Sequence, residues 1–199
     1  MNICVLASTK GTVLQAIIDE LKAGNMPGIE LEFVLVDRED CGAADKARKE
    51  GIPLVFLNPV QNGQKRSRED YDRELALICE QNNVDLVVLA GWMRILSPEF
   101  VRKYPKKIIN IHPSLLPKYP GMDLNVHQAV LEHGETETGM TIHYVDEGVD
   151  TGEIILQKTV AVDPGETAES LKEKVQALEK AWYPKVILQL ASAEGYHEY

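Results

Sequence analysis

Ile108-Ile109-Asn110-Ile111-His112-Pro113-Ser114-Leu115-Leu116-Pro117 passes from an apolar pair into a polar, proline-stiffened turn. The apolar pair reads as the end of a buried strand. On an extended backbone, residues two apart project to the same side, so Asn110 and His112 share a face. Pro113 interrupts regular pairing, and Pro117 and Pro120 hold the next segment as a loop. A strand that ends in a same-side amide and imidazole and then turns into a stiff loop can build a site. The amide can donate to a developing oxyanion, and the imidazole can donate when protonated or relay a proton near neutral pH. The same residues also fit a capped strand end with a solvated histidine.

The segments before this stretch decide the architecture. Ile3 to Ala7 reads as a buried strand, followed by the loop Ser8-Thr9-Lys10-Gly11-Thr12 and an amphipathic helix from Val13 to about Gly24. Strand, short glycine-containing loop and helix together present free N–H groups and a positive helix end to an anion. Lys10, Gly11, Thr12 and Val13 are therefore candidate phosphate contacts. The alternative is an ordinary turn with Thr12 as N-cap. The loop is not the G-x-G-x-x-G dinucleotide fingerprint. Strands follow at Leu31 to Val36, Leu54 to Leu57 and Leu86 to Leu89. Helices are expected at Cys41 to Glu50, from Ser67 to about Gln81, and from Ser97-Pro98, where Ser67 and Ser97 act as caps. Asn58 to Lys65 reads as a surface loop.

After Pro120 the pattern changes. A short helix is expected at Val126 to Leu131, and strands at Met140 to Val145 and Ile154 to Val160 form a hairpin-like pair. A long helix is expected at Thr167 to Leu190, with Leu171, Val175, Leu178 and Trp182 on one stripe and Pro184 kinking or restarting it. The prediction is an α/β fold: a Rossmann-like, doubly wound, mostly parallel sheet with an antiparallel C-terminal portion. Residues 1–190 form one domain and 191–199 a frayed tail. Ligands of such sheets bind beyond the carboxyl ends of the strands, so the loops after Ala7, Leu89 and Ile109 should share a cleft.

Composition narrows the function classes. The chain has 199 residues, 44% hydrophobic and 26% charged, with a formal net charge of -10. Such an acidic balance disfavours nonspecific binding to nucleic acid or anionic membrane. Cys4, Cys41 and Cys79 are odd in number and far apart, which fits a reducing, cytoplasmic setting. The N-terminus lacks the pattern of a signal peptide, and no segment reaches the apolar length of a membrane span.

Asp146-Glu147-Gly148-Val149-Asp150-Thr151-Gly152 is an acidic loop punctuated by glycine. Metal binding is its weakest reading, because no second oxygen-ligand group stands at a suitable spacing, and no metal is expected. If Asp150 meets His112, the carboxylate should raise the imidazole pKa and favour imidazolium. A cation, an amide and a carboxylate together suit acyl transfer to an amine.

The stretch Asn110 to Gly121 closely resembles the signature of the phosphoribosylglycinamide formyltransferase family, within the folate-dependent formyltransferases. The likeness extends to about Leu190 and includes Leu89-Ala90-Gly91-Trp92-Met93-Arg94-Ile95-Leu96-Ser97, Val149-Asp150-Thr151-Gly152 and Val175-Gln176-Ala177-Leu178-Glu179. The resemblance implies formyl transfer from 10-formyltetrahydrofolate, as cosubstrate, to the amine of glycinamide ribonucleotide in de novo purine biosynthesis. It implies Asn110, His112 and Asp150 as the catalytic trio, and Met93, Arg94, Ile95 and Leu96 around the pterin. The loop containing Val145, Asp146, Glu147 and Gly148 would close over the pterin, and Arg68 would stand near the glutamyl tail. Pro113, Gln176 and Glu179 would contact the ribonucleotide. The partners implied are small molecules, with the chain a monomer or homodimer. The alternatives are a related transferase acting on another amine and a formyltetrahydrofolate hydrolase. Two departures concern the acceptor. Thr9 and Val13 stand where the family's Ser-Gly-x-Gly-Ser-Asn-Leu loop has a glycine and an amide side chain, with Lys10 expected to compensate. Met122 to Val126 is longer than usual and lacks an expected histidine.

Overall fold

The computed structural model describes residues 1–121 and 125–193. Strand β1 (Asn2–Ala7) leads into α1 (Thr12–Lys22), and β2 (Glu30–Val36) into α2 (Gly42–Glu50). Strand β3 (Leu54–Phe56) leads into a small ribbon, β4 (Val60–Gln61) and β5 (Gln64–Lys65), and then α3 (Arg68–Gln81). Next come β6 (Leu86–Leu89), α4 (Pro98–Lys103), β7 (Ile108–His112) and α5 (Val126–Glu132). The hairpin strands β8 (Glu137–Tyr144) and β9 (Ile154–Ala161) precede α6 (Ala168–Ala193).

The main sheet has seven strands in the order β3-β2-β1-β6-β7-β8-β9. The first five in that order pair in parallel, β8 runs antiparallel to β7, and β9 antiparallel to β8. Strand order reverses beside β1, which opens the crevice where doubly wound sheets hold ligands. Ile3, Cys4, Val5 and Leu6 are all fully buried because helices cover both faces, so β1 reads as continuous rather than alternating apolar sequence. Helices α1, α2 and α6 pack on the face carrying Val5, Val34, Val88 and Ile109. Helices α3 and α4 pack on the face carrying Cys4, Leu35, Val87 and Ile108. Ser67 and Ser97 cap α3 and α4 as expected, accepting from the N–H groups of Asp70 and Phe100.

Four local expectations change. Ile108-Ile109 begins β7 rather than ending it, and the strand continues through His112. Gly11, not Thr12, caps α1, and its side chain of one hydrogen is required: φ is 68°, and a Cβ there would lie 2.8 Å from the Ala43 Cα. Asn58 to Lys65 contains the β4–β5 ribbon, turned by Asn62 and Gly63 with φ of 52° and 75°. Asn-Gly between paired strands is the standard signal for such a turn. Helix α6 passes through Pro184 and runs to Ala193, with Ala191 buried, so it extends beyond Leu190 into the expected tail. Its buried line is Leu171, Val175, Glu179, Tyr183, Ile187 and Ala191, whereas Leu178 and Trp182 are only partly buried. An unbroken i, i+4 repeat sets that line, and it places a glutamate inside it. Residues 194–199 of the tail, and Met122 to Leu124 of the lengthened loop, lie outside the described residues.

Candidate active site

Ile109 and Ile111 of β7 pack beneath α6, so Asn110 and His112 turn to the opposite side. The antiparallel neighbour β8 places His143 directly across from Asn110, and Thr141 across from His112. Thr141 anchors the proline loop: its hydroxyl donates to the Ser114 carbonyl at 2.7 Å and accepts the Leu116 N–H at 3.0 Å. Gln157 of β9 adds bonds to the Leu116 carbonyl and the Thr141 hydroxyl, both at 2.9 Å. The stiff loop expected from its prolines is therefore fastened to the hairpin.

Asp150 completes the cluster from the acidic loop. A Cβ at Gly152 would lie 1.8 Å from the Tyr144 carbonyl oxygen, so glycine lets the loop fold against the end of β8. Asp150 itself sits at φ 53°, a left-handed conformation uncommon for a side-chain-bearing residue. One carboxylate oxygen accepts the Gly121 N–H at 2.7 Å and lies 3.4 Å from His112 Nδ1. The other lies 3.4 Å from His143 Nε2 and from Asn110 Nδ2. Burial alone would raise this carboxyl's pKa. The hydrogen bond from His143, the Gly121 N–H and the charges of the two imidazoles outweigh it and hold Asp150 at about 2.

His112 departs from expectation. Asp150 does favour its protonated form, as does the Tyr119 carbonyl 2.7 Å from Nε2, but burial is the larger effect and the net shift is downward. The neutral ring therefore prevails at neutral pH. A carbonyl can only accept, so the neutral ring carries its hydrogen on Nε2 and leaves Nδ1 bare toward Asp150. His143 is held on both sides of its ring: Nδ1 lies 2.8 Å from the Tyr144 carbonyl, and Nε2 stands between Asn110 Nδ2 at 3.3 Å and Asp150 at 3.4 Å. Asn110 thus has one hydrogen near His143 and a second at the long edge of bonding range from Asp150.

Two cavities meet at this cluster. The larger, about 220 Å³, is lined by Thr12, Val13, Met93, Pro113, Gln176 and Glu179, with His127 and Lys172 among the other walls. The smaller, about 70 Å³, is lined by Arg94, Ile95, Leu96, Val145, Asp146 and Gly148. Trp92, Asn110 and Asp150 line both. Met93 faces the larger cavity, apart from the three residues that follow it. Lys10 is exposed and lines neither cavity, and Gly11 contributes only as the cap beside Thr12. Arg68 stands at the start of α3 beside Glu69, outside both linings, and Glu147 turns outward to pair with Arg102 at 3.0 Å. Glu179 is 8% exposed, and burial pushes its carboxyl up to about 7 against the pull of Lys172 and Lys180.

Sequence reasoning missed Trp92 as the shared wall, and His127, Lys172 and His143. His143 had a readable signal: Thr141 and His143 repeat, two residues apart within an apolar strand, the pattern of Asn110 and His112. Among the described residues, no group of three or more His, Cys, Asp or Glu is arranged to hold a metal ion, and no helix is long and apolar enough to cross a membrane.

Residues 1–187, which carry the sheet and the two-cavity cluster, match the model of the formyl transferase family. The chain belongs to the formyl transferase family. It is 44% identical over 193 residues to the trifunctional purine biosynthetic protein adenosine-3 of Drosophila pseudoobscura pseudoobscura, and 40% identical over 191 residues to that of Homo sapiens. Both matches cover 96% of this chain, which spans only 14% and 18% of those curated relatives. Among solved structures, it is similar to glycinamide ribonucleotide transformylase 1 from Symbiobacterium toebii, with a TM-score of 0.90, 39% identity, and coverage of 97% of this chain and 88% of that one. It is similar also to phosphoribosylglycinamide formyltransferase from Bacillus halodurans, with a TM-score of 0.90, 36% identity and full coverage of both chains.

Proposed function

We propose that this protein transfers a formyl group from 10-formyltetrahydrofolate to the amine of glycinamide ribonucleotide. The observation that carries the reading is the shared wall: Asn110 and Asp150 face two separate cavities at once. A hydrolase needs one organic substrate and water, whereas a group transfer between two organic molecules needs two chambers meeting at the reacting atoms. The similarity to solved phosphoribosylglycinamide formyltransferases supports the formyl group and this acceptor.

In this reading the folate occupies the smaller cavity, between the segment Arg94 to Leu96 and the loop Val145 to Gly148, and the ribonucleotide occupies the larger. The acceptor nitrogen attacks the formyl carbon across the wall. A bond forms from that nitrogen to carbon, and the carbonyl oxygen gains negative charge. Asn110 Nδ2 turns its loosely held hydrogen from Asp150 to that oxyanion. The proton leaving the nitrogen passes to the bare Nδ1 of His112. Asp150, held at about 2, is a poor proton acceptor by itself, and its charge stabilises the imidazolium instead. Collapse of the intermediate breaks the carbon bond to folate N10. The proton returns to that nitrogen, yielding tetrahydrofolate and the formylated amide.

The test is a formyl-transfer assay with and without the ribonucleotide, following tetrahydrofolate release. Release only with the ribonucleotide is expected. Release with folate alone would identify a hydrolase, and folate binding without release would exclude this acceptor.

A further inference from the structure

The larger cavity poses a charge problem. Among the described residues its lining carries two carboxyl groups, Asp150 and Glu179, and one residue of the Lys/Arg type, Lys172. Acidic groups a few ångströms from a phosphate cost about 1 kcal/mol each even at water's dielectric, and several times that near a protein surface. A phosphorylated ligand in this chamber therefore needs a cation on its wall. Lys10, the sequence's candidate, does not reach the lining. Thr12 and Val13 do, and the first-turn N–H groups of α1 are among those a helix leaves unpaired. Val13, however, brings no side-chain donor.

Two features of the opposite wall supply what is missing. Lys172 stands on the first turns of α6, exposed at the cavity mouth, and makes no hydrogen bond or ion pair among the described residues. Lys174, two residues on, is by contrast held by Asp163 at 2.6 Å and by Glu166. His127 of α5 is 6% exposed and lines the same cavity, and its buried Nδ1 has no partner among the described residues. A buried, unpaired ring nitrogen costs stability unless something bonds it, which marks it as waiting for a ligand or an ordered water. Burial and the nearby Lys172 charge bring His127 down to about 4, so it is a neutral hydrogen-bonding group at working pH. The charged and titratable groups facing it from α6 are Lys172 and Glu179.

We propose that Lys172 is the cation that receives the phosphate of the amine substrate, and that His127 Nδ1 hydrogen-bonds the same ligand beside it. This rests on the acceptor being a phosphorylated amine and adds residues that take over from the altered Ser8 to Leu14 loop. Val13 removes a donor from one wall, and the α5–α6 wall provides a charge and a ring nitrogen.

Titration calorimetry with ribose 5-phosphate tests this without turnover. Lys172→Ala should weaken binding at least tenfold, and Lys172→Arg should restore it to within threefold of the parent. Lys10→Ala should change it less than twofold. His127→Leu should weaken binding, whereas His127→Asn, which keeps a polar nitrogen near the Nδ1 position, should retain most of it. Unchanged binding in Lys172→Ala, equal losses in Lys10→Ala and Lys172→Ala, or no binding by the parent protein would each overturn the assignment. A parent protein that binds ribose 5-phosphate through Lys172 but transfers no formyl group to glycinamide ribonucleotide would refute the acceptor and leave the phosphate site standing.

Discussion

Asn110 and His143 face each other across the β7–β8 pairing, with Nδ2 and Nε2 3.3 Å apart, and both reach the same Asp150 oxygen. One residue ends the parallel part of the sheet and the other begins the antiparallel part. The cluster therefore exists only where the two halves of the fold are joined.

Removing the charge of Asp150 should separate binding from chemistry. Asp150→Asn should fold, retain both substrates within a few-fold in KM, and lose roughly 10²–10⁴ in kcat, because protonated His112 is left without its counter-charge. Steady-state kinetics check this, and an unchanged kcat would remove Asp150 from the proton path.

Asn110→Ala removes the proposed oxyanion donor while leaving His112 and Asp150 in place. A loss of roughly 10²–10³ in kcat with little change in KM is expected. A variant altered only in KM would make Asn110 a binding residue.

His143 should report through pH. Its hydrogen bond to Asp150 lowers that carboxyl's pKa against burial, so His143→Ala should raise it from about 2. Carboxyl titration by NMR measures the shift directly, and an unmoved Asp150 would show that His143 does not tune it.

The same depressed pKa makes a stability prediction. Asp150 goes from 3.8 as an ordinary carboxyl to about 2 when folded. It therefore contributes stability that is complete above pH 4 and lost as pH falls toward 2, on the order of 2 kcal/mol. Asp150→Asn should abolish that part of the acid dependence in chemical denaturation.

Asp72 is 2% exposed, and its carboxylate accepts the backbone N–H of Ser97, next to the loop that lines the smaller cavity. Burial raises its pKa, so ionised Asp72 costs stability as pH rises. Asp72→Asn can keep the hydrogen bond without a buried charge and should be close to neutral at pH 7. Asp72→Ala orphans the Ser97 N–H and should cost about 1–3 kcal/mol. Equal stability of the two variants in urea would show that the bond carries nothing.

Much of this was legible because it is local. The apolar runs at Ile3 and Leu86, the serine caps at 67 and 97, and the i, i+2 spacing of Asn110 and His112 each follow from a few adjacent residues. The parallel order with its antiparallel end followed from strand spacing and the hairpin. What stayed hidden depends on pairing at a distance. His143 is 33 residues from Asn110, and only the β8 register brings them together. The direction of the His112 shift was misjudged because the sequence shows a possible carboxylate partner but not the depth of burial that outweighs it. The outward turn of Glu147 toward Arg102 likewise depends on a residue 45 positions away.

The wall of Trp92, Asn110 and Asp150 also sets a rule for ligand design. Its residues are common to both linings, so on the proposed reading a single molecule with a pterin-like head and a sugar-phosphate tail would fill both chambers at once. The second half of such a molecule would bind at the effective concentration set by its tether, about millimolar for a short flexible link, instead of at its free concentration. Two fragments of modest affinity, joined over the span of that wall, would gain from each other without any new contact.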